Sequence, residues 1–413
     1  MNSNIQSAAN LLRLAIVFLI LLTAKAKSGY CQEDPLNHNK PNWVKHTIVD
    51  RQKSAINSAV ANDYGQDGKL EIIASYQGGV FLHRGTDWQS VKIHSFRPGI
   101  SRNKPGKACI HSCLIDVDQD GDLDFIGSNQ TLFWLECPDE PFSDTPWVYR
   151  TIDDEMLGSH CVLAADVDGN GVMDLIANSF HSEEKTNVPR SIAWLEIPAN
   201  PRKAKQWKRH VFADQDAPGG SHYMGFGDLN GDGRGDITCG AKGQPFADGE
   251  WFAWWEQPID PRGPWKKHLL AENQVGASNI HPVHIDGDDK IDIVATRGHG
   301  KGIFWFQGPN FRPIEIDPEI EGPHTLVTSD LDGDQNIDIA VCGRATNGTT
   351  MWYENDGAGN FNPSVIDRNQ GSYDLRAIDM DGDGDLDLLS AGHQNNNVVW
   401  YENQIRRNRI LSQ

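Results

Sequence analysis

One nine-residue phrase recurs seven times along the 413-residue chain, and its spacing restricts the fold more than any other feature. Its fullest form runs from Asp379 to Asp387: Asp-Met-Asp-Gly-Asp-Gly-Asp-Leu-Asp. Other clear copies start at Asp116, Asp166, Asp228 and Asp330. Two are degraded: Asp63–Glu71 has Gly65 at its third position, and His284–Asp292 has His284 at its first. Successive copies start 53, 50, 62, 56, 46 and 49 residues apart. A repeat of that length is one supersecondary unit that cannot bury its apolar face alone, so the core is built by stacking copies.

Each repeat reads as four short strands. An apolar strand A enters the phrase, as in Cys161–Ala165. Strand B leaves it at once, as in Leu175–Ala177 and Ile339–Val341. Strand C carries an aromatic signature: Phe133–Glu136, Ala193–Glu196, Ala253–Glu256, Phe304–Gln307, Met351–Glu354 and Val399–Glu402. Strand D is more polar and pairs Trp with Arg or His, as in Trp147–Arg150, Trp207–His210 and Trp265–His268. Four such strands per repeat make a propeller blade. The last repeat lacks strand D, whereas Trp43–Val49 is a lone D-like strand ahead of the first. The expected fold is therefore all-β: a seven-bladed β-propeller of four-stranded blades over 42–404, with the N-terminal strand completing the last blade. That closure hides the edges of a linear array.

The ends read differently. Arg13, the apolar run Leu14–Leu22 and the small residues Ala24 and Ala26 read as a secretion signal over 1–27, followed by a linker at 28–41. Residues 405–413 read as a tail. The apolar run is short for a bilayer span, so no stable membrane span is expected and the protein is placed outside the cytoplasm, secreted, periplasmic or at the cell surface. A net charge of −20 excludes nucleic acid as a partner, because phosphate binding needs a basic face. Cys109 and Cys113 are near enough in sequence to pair in an oxidising compartment; their spacing does not decide it.

The phrase, followed by an apolar strand and an aromatic strand, resembles the FG-GAP or VCBS repeat of integrin α-chain propellers and many secreted bacterial proteins. In that family the A–B loop can hold structural calcium. The chemistry agrees: calcium takes six to eight hard oxygens, and alternate Asp side chains of a tight loop face inward together. Positions one, three, five and nine give the candidate ligands. They are Asp116, Asp118, Asp120 and Asp124; Asp166, Asp168, Asn170 and Asp174; Asp228, Asn230, Asp232 and Asp236; Asp330, Asp332, Asp334 and Asp338; and Asp379, Asp381, Asp383 and Asp387. The competing reading is that these carboxylates only satisfy turn amides.

A second pattern lies at the start of strand A. His160, His222 and His324 stand six residues before their phrases, where blade seven has Tyr373 and blade one Asn57. His111 stands five before Asp116, and His281 three before His284. Strand A is innermost in a propeller, so these residues face the axis at the mouth opposite the acidic loops. The B–C loops open at the same mouth with His181, Lys242, His299, Arg344 and His393. Neutral imidazoles from adjacent blades can share zinc or another divalent metal and leave a coordination position open. An anion site built from protonated His with Lys242 and Arg344 is the alternative.

The Trp-x-Glu strands, the histidine-bearing A strands and the phrase together are similar to the propeller domain of aldos-2-ulose dehydratase; secreted propeller ulvan lyases share the architecture. That resemblance implies a carbon–oxygen lyase acting on an oxidised sugar. No ligand of that enzyme is carried over; the candidate metal ligands are those of the strand-A pattern, His111, His160, His222, His281 and His324, while in such a reaction Lys242 and Arg344 would polarise the substrate and His181, His299 or Tyr373 would move protons. Tyr223 and Trp251 would stack on a sugar face. The alternative is a non-catalytic propeller that binds a glycan or a protein.

Overall fold

The computed structural model describes residues 43–96, 109–129, 131–156, 158–180 and 188–404. The leader, linker and tail read from the sequence lie outside the described residues, as does His181.

Within the described residues 28 strands, β1 to β28 in chain order, form seven four-stranded antiparallel sheets. Blade three shows the plan: β10 (Val162–Ala165), β11 (Asp174–Asn178), β12 (Ile192–Glu196) and β13 (Lys208–Ala213) pair in that order. The burial of each strand follows from its layer. β11 is buried along its whole length, as a strand covered by blades on both faces must be, whereas the outer strand β13 is exposed or half-buried except at its last residue. The core is divided into seven apolar clusters, and each joins two neighbouring blades. Trp134, Trp194, Trp255 and Trp352 of the C strands are among their largest fully buried side chains.

The ring closes as the orphan strand foretells. β1 (Trp43–Val49) pairs antiparallel with β28 (Asn397–Asn403), from Trp43 opposite Asn403 to Val49 opposite Val398. It is the outer strand of the sheet that β26 (Asp374–Ile378) and β27 (Asp387–Gly392) begin.

The acidic phrase forms the A–B turn of each blade. Its first carboxylate folds the loop on itself: Asp166 Oδ1 accepts the Asn170 N–H at 3.0 Å and Oδ2 the Gly171 N–H at 2.9 Å. Its ninth residue starts strand B, is buried, and ties the loop to the end of strand C. Asp338 Oδ2 accepts from the Leu331 N–H at 3.2 Å and Oδ1 from the Asn355 N–H at 2.8 Å; Asp124, Asp236, Asp292 and Asp387 repeat the arrangement. Burial, reinforced by neighbouring carboxylates, pushes Asp124 up to about 8 and Asp174, Asp338 and Asp387 to about 7. In blades two, three, six and seven, three carboxylates of the loop offer oxygens within 4.8 Å of one another, a cluster that calls for a cation beside it. In blade four Asn230 takes the third position, and Arg234 pairs with Asp232.

Candidate metal centre

Three histidines from three different blades converge at the axis. His160 precedes β10, His222 lies in β14 (Ser221–Gly227), and His324 precedes β22 (Val327–Ser329). The pairing of β14 shifts register between Ser221 and Met224, which places His222 in a bulge; bulges re-aim side chains beside sites. Asn178, at the end of β11, locks two of the histidine-bearing backbones together. Its Oδ1 accepts the His160 N–H at 3.0 Å, and its Nδ2 donates to the His222 carbonyl at 2.7 Å. Asn279 Nδ2 donates likewise to the His324 carbonyl at 2.8 Å.

One ring nitrogen from each of His160, His222 and His324 lies within 4.8 Å of the others. The rings of His160 and His222 are 3.8 Å apart, and those of His222 and His324 5.1 Å. All three residues are buried. Burial, followed by repulsion from the neighbouring imidazoles and cations, holds His222 and His324 well below the usual histidine range. They are therefore neutral at physiological pH and keep a lone pair for a metal. His222 Nδ1 is 3.0 Å from the Ser278 hydroxyl, a contact that fixes its ring. Among the described residues neither ring nitrogen of His324 has a hydrogen-bond partner, although the residue is fully buried. A buried polar group left so is costly, and a shared cation satisfies it. The chemistry of the donor set therefore fits a divalent transition metal, with three protein ligands and a position left open.

Around the trio the mouth is built from the B–C loops and blade seven. His299 Nε2 is 3.0 Å from His222 Nε2. Burial, then Lys242 and Arg344, push His299 down to about 3. Tyr373 is sandwiched between His324 at 4.0 Å and His393 at 3.7 Å, with both pairs nearly parallel. His393 Nδ1 meets Asn57 Oδ1 at 2.5 Å. Lys242 Nζ donates to the Gln244 carbonyl at 2.8 Å and stands 5.3 Å from the Phe246 ring centre. Arg344 lines an open pocket of about 490 Å³ with His299 and Gln394.

Five histidines were expected to act together, and the structure gathers three of them. His111 and His281 line a separate cavity of about 160 Å³ with Tyr223, Asp374 and Arg376, and the trio does not border it. The physical reason is strand alternation: an offset of five or three residues from the phrase turns a side chain differently from an offset of six. His111 Nδ1 lies 3.2 Å from the Val162 backbone, and His281 Nδ1 3.4 Å from Thr328 Oγ1. Ser278 went unrecognised, yet it stands at the same six-residue offset as the trio and was findable by that rule. Neither aromatic residue named for sugar stacking shows an open face. Tyr223 is buried and donates to the Tyr373 carbonyl at 2.7 Å, while Trp251 belongs to the apolar cluster between blades three and four. All six described cysteines are free, Cys109 and Cys113 included.

Comparison with known proteins adds to the fold. Residues 330–390 match the FG-GAP-like repeat family. No curated protein matches the chain significantly. Among solved structures, the chain is similar to BBS1N in its complex with ARL6DN, in crystals soaked with mercury or with lead. The TM-scores are 0.54 and 0.52, at 11% identity over 88% and 87% of this chain and 97% and 96% of those. An Agrocybe aegerita lectin that recognises non-reducing terminal N-acetylglucosamine aligns with a TM-score of 0.48 at 13% identity, over 84% of this chain and 93% of its own; that likeness is too distant to bear on a ligand. The dehydratase likeness finds no support among these matches. No helix among the described residues is long and apolar enough to cross a membrane. The chain is a seven-bladed β-propeller that carries an FG-GAP-like repeat segment.

Proposed function

We propose that this is an exported binding propeller. His160, His222 and His324 hold zinc or a similar divalent metal at the axial mouth, where a carbohydrate ligand is bound, and structural calcium serves the acidic loops that fit it. The observation that carries the reading is the buried trio, whose ring nitrogens converge while those of His324 lack any other partner among the described residues. When bound, the metal would supply a Lewis-acid position for a ligand oxygen. The chain's own residues do the rest. Ser278 orients His222, Tyr373 and His393 wall one side, and Lys242 and Arg344 give the mouth positive charge for an acidic sugar. Export rests on the apolar leader read from residues 1–27.

Catalysis is the second reading, favoured by His299 and Tyr373 standing beside the trio. There Arg344 and Lys242 would hold a carboxylate or carbonyl, and His299 Nε2 or the Tyr373 hydroxyl would take the α-proton. Binding is preferred because the groups facing the trio are cations and imidazoles held neutral far from their ordinary range, whereas proton transfer is most effective from a group poised near the working pH.

The test is elemental analysis of purified protein beside His160→Ala/His222→Ala, followed by calorimetric titration with uronic-acid oligosaccharides. Stoichiometric transition metal in the wild type, lost in the variant together with sugar binding, is the expected result. Equal metal content in both proteins would refute the centre. Release of unsaturated sugar ends during the titration would move the conclusion to the lyase.

A further inference from the structure

The family resemblance implies calcium in every clear acidic loop, and two of those loops do not fit it. We propose that Arg202 and Arg262 are resident cations, each occupying the acidic loop of the preceding blade in place of a divalent ion. This inference is independent of the histidine centre.

Both arginines sit at the same place in the C–D connection of their blades. They end the tripeptides Asn200-Pro201-Arg202 and Asp260-Pro261-Arg262, and no other Asn-Pro-Arg or Asp-Pro-Arg occurs in the sequence. One terminal nitrogen of Arg202 lies 2.7 Å from Asp118 Oδ2 and 2.7 Å from Asp120 Oδ2, while Nε lies 2.6 Å from Glu136 Oε1. Asp118 and Asp120 are the third and fifth positions of the blade-two phrase, where calcium would take its side-chain ligands. Arg262 repeats the insertion one blade on. It is 2.8 Å from Asp168 Oδ2 and 3.3 Å from Glu196 Oε2, with its guanidinium 5.4 Å from the Trp194 ring centre.

The chemistry makes the arginine a durable occupant. A guanidinium is permanently charged and presents several donors in a fixed fork that matches carboxylates. Tethered to the neighbouring blade, it competes at an effective concentration of the order of millimolar. A calcium ion would have to displace it from carboxylates that include Asp118, whose side chain is only 2% exposed. The first blade supplies an internal control. The blade-two connection carries Phe142 where the next two carry arginine, and it faces a loop with Gly65 where the two arginine-bound loops have Asp118 and Asp168; both line one cleft. The arginine and its carboxylate are thus missing together, as expected of an ion pair that replaces a metal site.

Anomalous diffraction from wild-type crystals grown in calcium reads this directly. No calcium peak at Asp118 or Asp168 is expected, with both guanidinium groups in place. A peak at either loop would overturn the proposal, and this arm depends on no variant. Calcium per chain is then measured by equilibrium dialysis for Arg202→Gln and Arg262→Gln. Each is expected to bind one calcium ion more than the wild type; a folded variant with unchanged calcium content would refute the assignment.

Discussion

His160 stands six residues ahead of its phrase and His111 five, and the structure gives them different surroundings: a shared centre for one, a separate cavity for the other. The sequence shows every histidine and every offset, so the trio was legible in kind. What it does not show is the turn of each side chain near a strand's start, where a bulge such as that at His222 breaks strict alternation. His111 yields a pH prediction. Burial is the main cause that holds it down at about 4, with Asp374 opposing and Arg376 assisting. Its unfolded value is the ordinary 6.5, so the unfolded chain gains a proton first as pH falls. The stability tied to neutral His111 is complete above that ordinary value and is lost as pH falls toward the folded one. Urea denaturation of metal-free wild type and His111→Gln should therefore show the wild type's advantage shrinking between pH ~7 and ~5, by at most about 1.4 kcal/mol per pH unit. An advantage that stays constant over that range would show that folded His111 takes up its proton as readily as the unfolded chain does, and would refute the lowered value.

At the level of the strand, the Trp-x-Glu signature marked strand C, but its use was hidden. Cross-strand register places His210 of β13 opposite Trp194 of β12. Their rings stack at 4.1 Å, and His210 Nε2 lies 3.0 Å from Glu196 Oε2. His268 with Trp254 and Glu256, and His46 with Trp400 and Glu402, repeat the clasp. In blade two Arg150 takes the histidine's place over Trp134 and reaches Glu136 at 2.7 Å. The signature thus pins the outermost strand, which has solvent on one side and little core of its own. Register is not encoded within either strand, so the partnership could not be read before the pairing was known. A double-mutant cycle with His210→Ala and Glu196→Ala is expected to give a coupling energy of about 0.5–1 kcal/mol, in the range of half-exposed polar pairs. The single Glu196→Ala change should cost more than the coupling, because Glu196 also meets Arg262. A coupling indistinguishable from zero would reduce the clasp to stacking alone.

For the whole molecule, the repeat spacing and the orphan first strand were enough to state blade number and closure. The reason is physical: each apolar cluster needs two blades, so an unpaired seventh blade would leave both an edge and a half-built interface. β1 closes both. It pairs along β28, places Ile48 and Val49 in the cluster shared by blades seven and one, and sends Lys45 to Asp367 of blade six at 2.6 Å. Its loss would remove a strand's ladder of hydrogen bonds and uncover β28, buried along its length, as a long apolar edge, the kind that pairs with other chains. Two truncations separate this from any effect of the preceding residues. A chain starting at Trp43 keeps β1 and should melt as the longer chain does. A chain starting at Asp50 lacks it, and should melt at a clearly lower temperature and self-associate in sedimentation. Adding a synthetic peptide of residues 43–49 should reverse the association, because the edge it fills is the one exposed. If the chain starting at Asp50 remains monomeric with an unchanged melting temperature, the ring is held by its blade-to-blade clusters alone and the closing strand is dispensable.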